Sequence, residues 1–431
     1  MNKIYAVLMI LLPAIALSSF ANAQTDSLKH YLEVASTNNP GVKANYKAYQ
    51  ASLQKIPQAG AIPDLQLDMG FYTKPMDIID GKQIADFTLM QMFPWFGTRK
   101  AAQNEAEHLS NVAFEQFRES LNILYLDVYT QWFLMGSLQQ KLKNLDEHKL
   151  LLKQLEELAI QKFSTSAYSS GSGDMSSTLR VRLETVELEN QVQTVLSELK
   201  AEKAKFNALL NRNPDSNIVL PDSIEEIPFI LDIQTAMEEI STQNPALLMI
   251  DQENKAYKAK AKADRKMSMP MIGLGLQYSL IGKRAGETIP VTHMNGMDML
   301  MPMVSISLPI YRNKYKAQQR ESRFWQQSAT EKYNDTYNSI RAELVQIKHQ
   351  LEDALRTVGL LEKQTDLAKT TYRLIISEFA TGKSDLNDVI QVQRQLLDYR
   401  LRESDAIADY NTKVASAQKL ISFNENNIQQ R

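Results

Sequence analysis

Methionine sulfur is the most concentrated chemical resource in this sequence. Met267, Met269, Met271, Met294, Met297, Met299, Met301 and Met303 fall within forty residues, with His293 among them, in a chain of 431 residues that has 18 methionines. Thioether sulfur is a soft ligand, suited to Cu(I) and, by extension, Ag(I). Met297, Met299, Met301 and Met303 occupy alternate positions, so on an extended strand their side chains share one face. Methionine is equally an adaptable apolar filler, and a strand beside lipid carries it without any metal. Both readings stand at this point.

Other chemistries are poorly supplied. His30, His108, His148, His293 and His349 sit at no metal-ligand spacing, and four of the five read as solvated helix positions. No His-Glu-x-x-His, phosphate loop or nucleophile elbow occurs, so the chain does not read as an enzyme and no cofactor is expected. The absence of cysteine removes disulfides and thiolate metal sites. A formal net charge of −2 argues against a nucleic-acid partner. Glu and Lys at helical spacing read as solvated faces and i,i+4 pairs. Trp95, Trp132 and Trp325 suggest stacking sites, but Trp95 beside Pro94 fits an aromatic girdle at a membrane interface.

The elements that must position these residues are written twice. No proline occurs between Pro94 and Pro214, or after Pro309, in a chain with 14 prolines. Proline costs a helix interior about 3 kcal/mol, so both tracts predict very long helices. From Arg99 to Phe163 is about 65 residues, roughly 100 Å of helix. Within the tracts apolar residues recur every three or four positions: Leu121, Leu124, Val128, Trp132 and Met135; Leu188, Val192, Val195 and Leu199; Ile390, Leu397 and Leu401. Such helices bury a narrow seam against neighbours.

Before each tract the period is two. Leu65, Leu67, Met69 and Phe71 alternate in the first copy; Ile272, Leu274, Leu276, Tyr278 and Leu280 do so in the second. A turn-rich loop follows each (Lys74 to Lys82; Ile281 to Asn295), then another alternating segment. In the first copy this sets Phe87, Leu89 and Phe93 against Thr88, Met90 and Met92. In the second it sets Leu300, Val304, Ile306 and Leu308 against the methionines. The expected strands are about 64–73 and 86–94, then about 271–280 and 297–308, the length a tilted outer-membrane strand needs. If the aliphatic positions 300, 304, 306 and 308 meet lipid, the methionines face a lumen; one bulge would reverse the faces. Four strands cannot close a barrel, and open edges are not tolerated in lipid, so a barrel must be shared between chains.

Residues 1–23 read as a secretory signal, with Lys3, an apolar run from Ile4 to Leu17 and the triplet Ala21-Asn22-Ala23. The first repeat is then 24–213, the connector 214–230, and the second repeat 231–431. Each repeat opens on a helix bearing Asn39-Pro40 or Asn244-Pro245. Each long tract is broken once by a polar glycine turn, about 169–174 (with Gly171 and Ser172) and about 380–385 (with Gly382, Lys383 and Ser384). Two antiparallel helices joined at a distal tip follow from each break.

Phe379-Ala380-Thr381-Gly382-Lys383-Ser384-Asp385-Leu386-Asn387-Asp388-Val389-Ile390, followed by Gln393, Leu396, Leu397, Tyr399 and Asp409-Tyr410, resembles the C-terminal tip of the TolC-like outer-membrane efflux family. With the duplication, the strand hairpins and the signal, the resemblance covers essentially the whole mature chain. The stretch from Gly296-Met297-Asp298 to Leu308-Pro309-Ile310 is similar to channels of heavy-metal efflux systems of the resistance-nodulation-division type, copper and silver first. The resemblance implies a mainly α fold with a membrane β part. In a homotrimer, four strands per chain would complete a twelve-stranded barrel in the outer membrane of a Gram-negative bacterium, and the helices a periplasmic α-barrel. It implies a passive conduit that takes cargo from an inner-membrane pump through a periplasmic adaptor. Gly171, Ser172, Gly382, Lys383 and Ser384 would meet that adaptor. Asp388 matches an acidic position that narrows the closed tip, a ring of carboxylates in a trimer. The family's second acidic position, one turn later, is Gln391 here, which weakens a two-ring gate. Asp388 also suits a plain helix start.

Two other functions fit parts of this pattern. Export of drugs, dyes or detergents would use the same architecture. An extracellular coiled-coil structural protein or adhesin would use the long helices, but has no need of strand hairpins at equivalent places in both copies.

Overall fold

A computed structural model of the chain describes residues 23–166, 175–284 and 295–423. The signal segment other than Ala23, the tip residues Gly171 and Ser172, and His293 and Met294 lie outside the described residues.

The duplication is visible in the element order. The first copy runs α1 (Ala23–Asn38), α2 (Pro40–Leu53), α3 (Lys55–Ala59), β1 (Gln66–Ile78), β2 (Gly81–Phe93), α4 (Thr98–Ser166) and α5 (Met175–Leu209). The second runs α6 (Ile233–Gln243), α7 (Pro245–Met267), β3 (Met271–Gly282), β4 (Met299–Ser307), α8 (Arg312–Ala380) and α9 (Leu386–Ile421). The two proline-free tracts each yield one helix of 69 residues, α4 and α8. No described helix is long and apolar enough to cross a membrane.

The expected opening helix of each repeat is divided at its Asn-Pro pair. Proline suits the first helical turn but not the interior, so the chain stops and restarts there. Asn244 is the N-cap of α7, its Oδ1 accepting from Ala246 N at 3.0 Å and Leu247 N at 3.3 Å. Its Nδ2 donates to the Leu420 carbonyl at 2.9 Å, near the end of α9. Asn39 repeats the gesture, donating to the Leu209 carbonyl at 3.0 Å at the end of α5. In each copy one asparagine thus ties a helix restart to the end of that copy's last helix.

The chain divides into two units. One comprises Met1–Asn39, Leu124–Phe229 and His349–Ser416. Its core holds Leu145, Leu152 and Leu155 of α4, Val181 and Leu188 of α5, Tyr372 and Phe379 of α8, and Leu386, Val389 and Leu396 of α9. Trp132 is buried here between Tyr31 and Phe206, with ring centroids 5.6 and 6.0 Å away, so it is a packing residue. The 214–230 segment is irregular but tied down. Asn411 donates to the Glu225 carbonyl at 2.8 Å and accepts from Ile227 N at 2.9 Å. A side chain at Gly136 would meet Ile224 Cγ2 at 2.5 Å, so this segment lies directly on the glycine backbone.

The other unit comprises Pro40–Ile123, Ile230–Lys348 and Ala417–Arg431 and contains the sheet. Its strands are all antiparallel in the order β1-β2-β3-β4. Trp325 stacks on Tyr257 here, the rings 17° from parallel at 5.9 Å. The first hairpin departs from expectation. The loop expected over Lys74 to Lys82 is largely strand, closed by a tight turn at Ile79 and Asp80, with Gly81 at φ +140°. Pro75 is tolerated because β1 is an edge strand and the register shifts between Phe71 and Met76. Pro302 sits in β4, the opposite edge.

Candidate functional site: a two-faced sheet and a capped helical turn

Register converts the alternating sequences into two chemically distinct faces, because directly opposed residues point to the same side. On one face Leu67 opposes Leu89, which opposes Leu276, and Met69, Phe87, Tyr278 and Leu300 form the next row. Leu274 and Val304, then Phe93, Ile272 and Ile306, extend it. Phe71 is 71% exposed, Val304 71% and Leu300 61%, a continuous apolar surface of the kind that lipid or another protein covers. Gln91 intrudes only at the strand end, where its Nε2 donates to the Pro63 carbonyl at 2.7 Å.

The opposite face is polar and sulfur-bearing. Its rows are Gly70, Asp86, Ser279 and Met299; Asp68, Thr88, Gln277 and Met301; Gln66, Met90, Gly275 and Met303; then Met92, Gly273 and Ser305. Asp86 accepts from Tyr72 Oη at 2.5 Å, Gln83 Nε2 at 2.6 Å and Ser279 Oγ at 2.6 Å. These rows carry Asp68 and Asp86 and no lysine or arginine.

Met299, Met301 and Met303 therefore share a face with acid, amide and hydroxyl groups, opposite the aliphatic one. Met297 is displaced from this set. The strand begins at Met299 because Gly296 turns the chain at φ +82° and Asp298 is held by other bonds. The Asp298 carboxylate accepts from Ile281 N at 3.0 Å and from the Tyr278 hydroxyl. Where β2 gives way to α4, Trp95 packs edge-on against Phe96, which is 79% exposed; Tyr311 before α8 is 84% exposed. Exposed aromatics at these junctions suit an interfacial girdle.

At the other candidate site, α8 ends in a Schellman turn. Lys383 N donates to the Glu378 carbonyl at 2.9 Å and Gly382 N to the Phe379 carbonyl at 3.1 Å, with Gly382 at φ +78°. Phe379 and Leu386, both buried, anchor the turn from below. Gly382 and Lys383 are exposed and Ser384 half-buried. A side chain built on Gly382 would meet nothing within 4 Å. Asp388 lies in the first turn of α9, its Oδ2 accepting from Asp385 N and Ser384 Oγ, both at 3.4 Å. This is the reciprocal half of a capping box, so within one chain Asp388 serves the helix start.

Residues 236–421 match the family model described as outer membrane efflux protein. No curated protein sequence matches significantly. Solved structures match over nearly the full length. CusC aligns at a TM-score of 0.73 and 15% identity, covering 92% of this chain and 92% of its own. The outer membrane protein VceC of Vibrio cholerae aligns at 0.71 and 14%, covering 92% and 96%. The open MtrE outer membrane channel of Neisseria gonorrhoeae aligns at 0.67 and 14%, covering 94% and 93%. The chain has the fold of the outer-membrane efflux channels.

In that channel fold, the helical unit also holds a feature that sequence reading missed. A pocket of about 330 Å³ is lined by His148, Glu184, Gln393 and Arg394 among others. His148 is buried, not solvated as its helical position suggested; only 1% of it is exposed. Burial, and secondarily the positive charge of Arg400, lowers its pKa to about 4. Its Nε2 and both amide atoms of Gln393 are buried without a hydrogen-bond partner among the described residues. His108 is likewise engaged, its Nδ1 lying 3.1 Å from Gln252 Oε1. His30 and His349 are exposed, as expected. Among the described residues no cluster of His, Cys, Asp and Glu could hold a metal.

Proposed function

We propose that this protein is the outer-membrane channel of a tripartite efflux pump, a homotrimer that passively conducts cargo to the exterior. The observation that carries the reading is the sheet: two open edges, one face continuously apolar and the other polar. An open four-stranded sheet with such a face cannot persist in lipid. Three copies would close twelve strands, the apolar face meeting lipid and the polar face lining the lumen. The Gly382-Lys383-Ser384 turn, with Gly171 and Ser172 of the first copy, would meet a periplasmic adaptor that links the channel to an inner-membrane resistance-nodulation-division pump. Asp388 would form the acidic ring of the closed tip. The N-terminal signal would direct the chain to the periplasm of a Gram-negative cell.

For cargo, soft cations such as Cu(I) and Ag(I) are favoured by the placement of Met299, Met301 and Met303 on the polar face, in rows that carry Asp68 and Asp86 and no lysine or arginine. A small-molecule export channel would have the same architecture. Deleting the gene and titrating growth separates the two. Lost tolerance to silver and copper, restored by the gene in trans, is expected. Unchanged metal tolerance with new sensitivity to dyes and detergents would transfer the assignment to small molecules.

A further inference from the structure

The methionines evident in the sequence are those of β4, but the register brings two others to the same face from the first copy. Met90 and Met92 of β2 lie opposite Gly275 and Gly273 of β3. Gly275 in turn opposes Met303 of β4. The row is therefore methionine, glycine, methionine, and the two outer backbones are separated by about 9.5 Å, two strand spacings. The bare glycine between them leaves room for a long thioether side chain from either flank.

The sulfurs of β2 occupy that room. A side chain at Gly273 would lie 2.6 Å from Met92 Sδ, 3.1 Å from Met90 Sδ and 3.2 Å from Ser305 Cβ. One at Gly275 would lie 3.0 Å from Met90 Sδ and 2.8 Å from its Cε. Two thioether sulfurs thus converge on the space above Gly273, and any other residue there would force them aside. Glycine weakens a strand interior, and it commonly marks a place where another group approaches the backbone closely. Here the approaching group is sulfur from the neighbouring strand. Thr88 and then Asp86 continue the same face along β2, so an anionic group lies within two rows and no cationic one intervenes.

The geometry points to a soft-cation site formed by Met90, Met92 and Met303 over Gly273 and Gly275, taking Cu(I) or Ag(I) as a ligand in transit. It rests on the reading of the polar face as the channel lumen. Thioethers without a thiolate or imidazole bind soft monovalent ions selectively and release them readily, the condition for conduction. The first copy supplies two sulfurs and the second supplies the glycines and the third sulfur, so the site belongs to neither repeat alone.

The test uses full-length selenomethionine protein purified from outer membranes and Ag⁺ alone as probe, read by X-ray absorption for a silver–selenium shell and by equilibrium titration. The expected result is a silver–selenium shell that is lost in the Met90→Leu/Met92→Leu double variant, with affinity reduced at least about tenfold, the scale seen when even an outer-shell partner is removed. Gly273→Ala, which keeps every sulfur but crowds them apart, should weaken binding as well. Met297→Leu, outside the strand, should not. Absence of the shell, or a shell unchanged in the double variant, overturns the site. Silver tolerance is scored separately: a shell that survives in a double variant that assembles normally and confers full tolerance would overturn the site while leaving the export reading intact. A shell present in protein whose loss leaves silver tolerance unchanged supports the site and removes the cargo assignment.

Discussion

Replacing Gly382 separates what the α8–α9 turn needs for its own shape from what its surface does for export. At φ +78° an ordinary L-residue is strained by about 1–2 kcal/mol. No clash is added, because a Cβ there meets nothing within 4 Å. If the turn relaxes away from the left-handed conformation, the Lys383-to-Glu378 and Gly382-to-Phe379 bonds are lost, each contributing about 0.5–1.5 kcal/mol. Gly382→Ala should therefore destabilise the turn by about 1–3 kcal/mol. Gly382→Asn should cost less, because asparagine tolerates the left-handed region, yet it places a polar side chain on the exposed surface. The assay pairs a chemical unfolding midpoint and trimer yield with export of whichever cargo the tolerance screen identifies. Docking at this turn predicts that both variants export poorly while trimers form. Wild-type export by Gly382→Asn would refute the docking assignment; a cost above about 4 kcal/mol for the alanine variant would refute the account of the turn itself.

Other perturbations follow from single contacts. Asp388→Ala removes two 3.4 Å contacts at an exposed helix start, so stability should fall by no more than about 1 kcal/mol. Cation selectivity in a planar bilayer should fall with it, and an unchanged reversal potential would leave Asp388 a capping residue alone. His148 has a folded-state pKa of about 4 against 6.5 when unfolded, so its stabilising effect is complete above pH 6.5. That effect declines as the unfolded chain takes up a proton, by about 3 kcal/mol in all by pH 4. Unfolding midpoints of wild type and His148→Gln should diverge over that window, and parallel pH profiles would show that His148 is not held neutral. Asn244→Ala removes an N-cap and the bond to the Leu420 carbonyl, a loss of about 1–3 kcal/mol in denaturant titration, whereas Asn244→Asp should recover the cap but not that bond.

The sequence carried the periodic elements because period and proline position are local properties. The tracts after Pro94 and Pro309 and the alternations at Leu67 to Phe71 and Leu274 to Leu280 needed no tertiary information. Pairing was not local. That Met90 lies across Gly275 from Met303 depends on two registers, and no spacing in the chain contains them. The first hairpin was misjudged for a related reason: Lys74 to Lys82 has the composition of a loop, but an edge strand accepts Pro75, and Ile79 and Asp80 suffice for the turn. His148 sits at a helical position with polar neighbours in sequence, and its burial follows from the packing of α5 and α9 against α4. The resemblance at the tip located Gly382, whereas its left-handed conformation and the capping role of Asp388 emerged from the backbone.

The central claim is that the open edges of this sheet close against other copies of the same chain. The natural sequence has no cysteine, so engineered pairs report without background. Single cysteines along Gln66 to Phe71 of β1, combined in turn with single cysteines along Met301 to Ser307 of β4, should cross-link between chains in intact outer membranes at one consistent register. Non-reducing gels should then show two-chain and three-chain species and nothing larger. A ladder extending beyond three chains, or no cross-linking at any register in protein that reaches the outer membrane, would contradict a closed trimeric barrel.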